Sequence, residues 1–149
     1  MKLQKNTRLA LYSVLEFAAR PDEHVPAAEV AAKYGESLHH LAKVLSELAR
    51  AGIVDSVRGV GGGYRFAANA RRLTLMDVIS HFEDISSSGV EGNEHTPAGK
   101  ALAKVLSEVD EIAKATMNSI TLATMLRMIE RERALPAHDT PHGQPAATR

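Results

Sequence analysis

Gly52-Ile53-Val54-Asp55-Ser56-Val57-Arg58-Gly59-Val60-Gly61-Gly62-Gly63-Tyr64-Arg65-Phe66 is the stretch whose reading decides the fold. Ile53, Val54 and Val57 form one β-prone arm, and Tyr64 and Phe66 form the other. Apolar arms around a Gly-rich turn predict a β-hairpin. Four glycines among the five residues 59–63 exceed what a tight turn needs. The excess suggests a flat tip with bare backbone N–H groups, bracketed by Arg58 and Arg65, able to lie against a phosphate backbone. An ordinary Gly-rich hairpin is the alternative, and the neighbouring sequence decides between the two.

Upstream, the periodicity predicts three helices. The first runs from Thr7, taken as its N-cap, to Arg20, with apolar residues on more than one face. The second starts near Pro26 and stops at Tyr34-Gly35. Ser37 caps the third, Leu38 to Ala51, whose Leu38, Leu41, Val44, Leu45 and Leu48 recur at the spacing of one buried face. Its other face carries His39, His40, Lys43, Ser46, Glu47 and Arg50. The tight turn at Gly35-Glu36 makes the second and third helices a helix-turn-helix, and the hairpin then stands where a wing would.

Downstream, Thr74 opens a fourth helix with Leu75, Val78, Ile79 and Phe82 inward, and residues 86–95 read as a polar loop. Thr96-Pro97 opens a long helix to about Asn118. Leu102, Val105, Val109, Ile112 and Thr116 alternate steps of three and four along it, a seam suited to pairing with a second copy. Packing within one chain is the alternative. Ser119 to Leu122 interrupts the pattern before a last helix to about Arg133. The predicted architecture is mainly α with a small β-hairpin wing. Residues 1–83 form a winged helix-turn-helix DNA-binding domain, 84–96 a loop, 97–133 the dimerisation helices and 134–149 a disordered tail.

Composition narrows the function. The chain has no cysteine, which excludes a disulfide scaffold, thiolate metal ligation and a cysteine nucleophile. No run reaches transmembrane length and the N-terminal residues lack a signal-peptide core, so a cytoplasmic protein without membrane contact is expected. Net charge is zero, yet residues 1–72 hold eleven Lys/Arg against seven Asp/Glu, and residues 73–149 the reverse. A basic front half suits nucleic acid. No catalytic constellation is present, so no enzyme is expected. No pair of histidines has chelating spacing within one helix, so neither metal nor cofactor is expected; His95 is the best single ligand candidate. Met117, Met125 and Met128 cluster near the last helix, as core filling or as the wall of a pocket for a small effector.

The segments Gly52-Ile53-Val54 to Gly63-Tyr64 and Leu73 to Ile79 together resemble the Rrf-two family of bacterial winged-helix regulators, which includes IscR and NsrR. His40 to Leu45 is similar to the recognition helix of the NsrR branch, and Thr96 to Gly99 and Ile120 to Leu122 resemble its later segments. The likeness covers about residues 1–130. It implies a homodimeric transcriptional repressor on a palindromic double-stranded DNA operator. Cluster-binding members hold an iron–sulfur cluster with three loop cysteines. Here Gly99 stands where one of them would fall, and Arg8 lies near the position of an acidic ligand. The DNA-binding implication therefore stands and the cluster-sensing implication does not.

On this reading Ser37, His39, His40 and Lys43 enter the major groove, where histidine protonation would strengthen phosphate contact. Arg58 with Gly61, Gly62 and Gly63 sets the wing on an adjacent backbone or minor groove. Arg50, Arg65 and Arg71 are further phosphate candidates. A protein-interaction module that has lost operator binding is the alternative function.

Overall fold

The computed structural model describes residues 2–86 and 92–136. The middle of the polar loop, and the tail from residue 137 with His138 and His142, lie outside the described residues. Six helices and one hairpin follow in order among them: α1 (Lys5–Ala19), α2 (Ala27–Tyr34), α3 (Leu38–Arg50), β1 (Val54–Val57), β2 (Gly63–Phe66), α4 (Leu75–Ile79), α5 (Pro97–Ser119) and α6 (Leu122–Ala134).

The main core gathers the apolar face of α3 against α1. Leu41, Leu45 and Leu48 of α3 meet Val14 and Phe17 of α1, with Val30 of α2, Val54 of β1 and Val78 of α4 closing around them. Each such side chain contributes about 1.5–3 kcal/mol by leaving water. Leu122 of α6 is also fully buried in this cluster, so the last helix is part of it. A second cluster, Leu75, Ile79 and Ile85, is flanked by Leu3, Leu11, Met117, Ile120 and Met125.

Several boundaries differ from the sequence reading. α1 begins at Lys5 with Gln4 as N-cap, and Thr7 lies inside its first turn, fully buried. A Thr near a helix start is a good cap only when its side chain faces the free N–H groups; this one faces the core. Leu38 shares the spacing of the buried face but is 51% exposed, because the first turn of α3 overshoots the core. α4 is five residues long and ends before Phe82. α6 runs through Ala134, within a residue of the expected end.

The hairpin is antiparallel, pairing Val54 with Phe66 and Val57 with Gly63. A third segment extends it: Val25 and Tyr64 exchange backbone hydrogen bonds of 2.8 and 2.9 Å. This bridge ties the wing to Val25, two residues before α2. A comparable bridge pairs Thr74 with Thr121, where Leu75 N–H donates to the Ile120 carbonyl and Leu122 N–H to the Leu73 carbonyl. The interruption is thus narrower than the sequence suggests: only Ile120 and Thr121, both extended, separate α5 from α6, and they dock beside α4. Helix ends are capped by Ser37, Thr96 and Thr121, and Thr74 with Asp77 forms a reciprocal capping box.

Candidate nucleic-acid interface

α3 is amphipathic, with a buried leucine stripe and a polar face. His39, Lys43, Ser46, Glu47 and Arg50 line one shallow cleft on that face. Lys43 makes no ion pair among the described residues, whereas Arg50 pairs with Glu47 one turn back. Ser37 is exposed, but its hydroxyl accepts the His40 N–H at 3.1 Å, so its visible role is capping. His40 departs from the expected polar face. It is half-buried, and its Nε2 is enclosed without a hydrogen-bond partner among the described residues. The turn between α2 and α3 is tied to α1 by Lys5, whose ammonium meets Glu36 at 2.9 Å.

The wing presents Arg58 and Val60 to solvent, Val60 completely so. Gly61 is exposed at the tip, but Gly62 and Gly63 have local reasons to be glycine. A side chain at Gly62 would overlap the Val57 carbonyl oxygen. At Gly63, φ is +144° and a Cβ would lie 2.6 Å from the Val25 carbonyl oxygen, inside the bridge that fixes the wing. These two residues shape the turn. The exposed Arg58-Gly59-Val60-Gly61 segment is the part free to meet a partner. Arg65 lies on β2 opposite Asp55, back from the tip, and Arg71 and Arg72 are exposed where the chain leaves the hairpin. Val60, an apolar residue at the centre of the Gly-rich turn, is not among the residues the sequence points to, yet it stands fully exposed at the tip.

The predicted pairing stripe is open. Leu102, Val105, Val109 and Ile112 are 49–68% exposed along α5, and Thr116 is exposed with its hydroxyl donating to the Ile112 carbonyl. Met117 and Met125 flank the second core cluster, whereas Met128 is half-exposed and separate from them.

A helix-turn-helix with a polar outer face, followed by a bridged wing, defines a winged-helix protein of the class that regulates transcription. The sequence profile of the Rrf2 family, described as an iron-dependent transcriptional regulator, matches residues 3–128, and the chain belongs to that family. BadM of Rhodopseudomonas palustris, named as an HTH-type transcriptional regulator, is 49% identical over 135 residues, covering 89% of this chain and 86% of that protein. IscR of Xenorhabdus nematophila is 31% identical over 157 residues, covering 99% and 96%. Among solved structures, CymR of B. subtilis, the global cysteine regulator of that organism, matches with a TM-score of 0.74 at 25% identity, covering 86% of this chain and 98% of its own. The T. potens IscR structure, at 24% identity and a TM-score of 0.69, shares the fold. The chain is a transcription regulator by family and not an enzyme.

The family description implies iron, and the residues here do not fit it. The chain has no thiolate to offer. Among the described residues no three His, Asp or Glu side chains are grouped to hold a metal, and His95 stands alone on an exposed loop. Gly99 is buried, and a Cβ there would overlap the Asn93 carbonyl oxygen. Its N–H donates to the Thr96 cap. A residue with a side chain at position 99 would force the Asn93 carbonyl to move.

Proposed function

We propose that the protein is a homodimeric, sequence-specific DNA-binding repressor that works without an iron–sulfur cluster. The observation that carries this reading is the single exposed face of α3, with His39, Lys43 and Arg50 around one cleft, followed directly by a wing whose free tip carries Arg58. The N-terminal half of α3 would enter the major groove, with His39 and Lys43 nearest base edges and phosphates. The tip would lie on the flanking backbone or minor groove, Arg58 neutralising phosphate and Val60 resting on sugar or base edges. Pairing of two α5 stripes would place two such units on a palindrome with half-sites about one helical turn apart. The Asn93–Gly99 contact supports operation without a cluster, because it leaves no room for a ligand at Gly99.

Footprinting of the purified protein on genomic fragments, with affinities measured at several salt concentrations, tests the reading. A protected palindrome with affinity falling steeply as salt rises is the expected result. Arg58→Ala is expected to weaken binding and reduce the log–log salt slope by about one. Retention that is neither sequence-specific nor salt-dependent would leave a protein-interaction module acting through α5.

A further inference from the structure

A groove of about 340 Å³ runs between the helix-turn-helix unit and the last helix. Tyr12 and Leu15 of α1, Tyr34 of α2, and Met125, Leu126 and Ile129 of α6 form its walls. Its volume falls at the small end of ligand-binding clefts, ~300–1,000 Å³. The two tyrosine rings are stacked, 4.7 Å between centroids and 1° from parallel, giving one wall a flat, rigid surface.

The groove also holds one acceptor oxygen without a protein donor. Glu16 lies on its floor with a side chain only 15% exposed. Lys33 Nζ and Tyr34 Oη both donate to Glu16 Oε1, each at 2.5 Å. Oε2 receives no hydrogen bond among the described residues, yet it is not one of the fully enclosed orphan atoms, so it remains reachable. The charges around the groove already balance: Lys33 neutralises Glu16, and Arg133 pairs with Glu130 at 2.9 Å. A charged ligand would be desolvated there with no net counter-charge to meet it. A neutral donor would replace water on Oε2 and bring no uncompensated charge into the groove.

We propose that this groove binds a small, neutral, largely apolar molecule through one hydroxyl or amide N–H donated to Glu16 Oε2. Because α1 and α2 form one wall and α6 the other, an occupant would bias the last helix against the helix-turn-helix unit. Its service as an effector site rests on the DNA-binding reading above. The methionine expected at an effector pocket is then Met125 alone; Met117 fills core and Met128 faces solvent.

Methionine-methyl NMR of the full chain tests the proposal with four probes sharing one chain: 1-hexanol, hexyl methyl ether, hexylamine and hexanoate. 1-Hexanol is expected to shift the Met125 methyl signal saturably, with the other three at least tenfold weaker. Ile129→Trp, which fills the groove, is expected to abolish the shift. Glu16→Met keeps the groove and removes the acceptor, so 1-hexanol and its ether should then bind alike. An unmoved Met125 signal, equal shifts from all four probes, or an unchanged preference in Glu16→Met would overturn the proposal. These measurements contain no DNA, so failure of the groove site and failure of operator binding are read separately.

Discussion

Thr7 shows how one atom can be a liability. Its side chain is fully buried in the first turn of α1, and Oγ1 finds no hydrogen-bond partner among the described residues. An enclosed, unpaired hydroxyl costs about 1–3 kcal/mol. Thr7→Val replaces the hydroxyl by a methyl of similar shape, so the variant should be more stable by about 1 kcal/mol or more in urea denaturation; a loss of stability would mean that the hydroxyl is satisfied. Glu16 and Tyr34 set the pH limits from opposite sides. Burial pushes the Glu16 carboxyl up, but hydrogen bonds from Lys33 and Tyr34 outweigh it and hold the group below its ordinary 4.5. Its contribution is present above that value and is lost as pH falls through the lowered one. Burial and then Glu16 raise the Tyr34 phenol above its ordinary 10.0, so its share is present below that pH and fades as pH rises beyond it. Glu16→Gln should melt lower than the natural protein at pH 7, and the gap should narrow as pH drops below 4.5. A gap independent of pH would place the effect in packing.

At the scale of elements, α3 was legible because its whole buried face comes from one strong period. The hairpin was legible because aromatic and β-branched arms flank glycine. The two backbone bridges were not. Val25 with Tyr64, and Thr74 with Thr121, are single pairings that leave no alternation to read, yet they fix the wing and α6. The candidate site can be read from the sequence as a set of polar and charged residues on α3 and the wing, but not in its details. Side-chain capping by Ser37, the inward turn of His40 and the packing of Gly62 and Gly63 depend on neighbours distant in sequence. The α5 seam was legible in period, and the structure leaves it open to solvent. Four large aliphatics in a row are more than a monomer surface usually leaves bare. Ile112, at 68% exposure, contributes little to its own chain, so Ile112→Glu should leave the helical signal intact. If the stripe is the pairing surface, the mass in light scattering should fall from dimer to monomer, and operator affinity with it. A variant that stays dimeric would move the interface elsewhere.

Across the whole molecule, the proposed DNA-binding and pairing parts are not separated by packing. Leu122 at the start of α6 is fully buried among residues of α1, α3 and β1, and Met117 and Ile120 close the second cluster around α4. The Leu73–Leu122 and Ala70–Ala123 backbone bonds, each 2.8 Å, join the same regions. Two parts sharing a core and hydrogen bonds should not melt apart. Calorimetry is therefore expected to show one transition for the full chain. Leu122→Ala removes a side chain from the shared core and should cost about 2–5 kcal/mol, lowering that single transition as a whole. Two resolved transitions, with only the later one moved by Leu122→Ala, would mean that α5 and α6 fold as a separate unit. The shared core also gives α6 a packed route to α1, and the Lys5–Glu36 ion pair links α1 in turn to the α2–α3 turn that precedes α3.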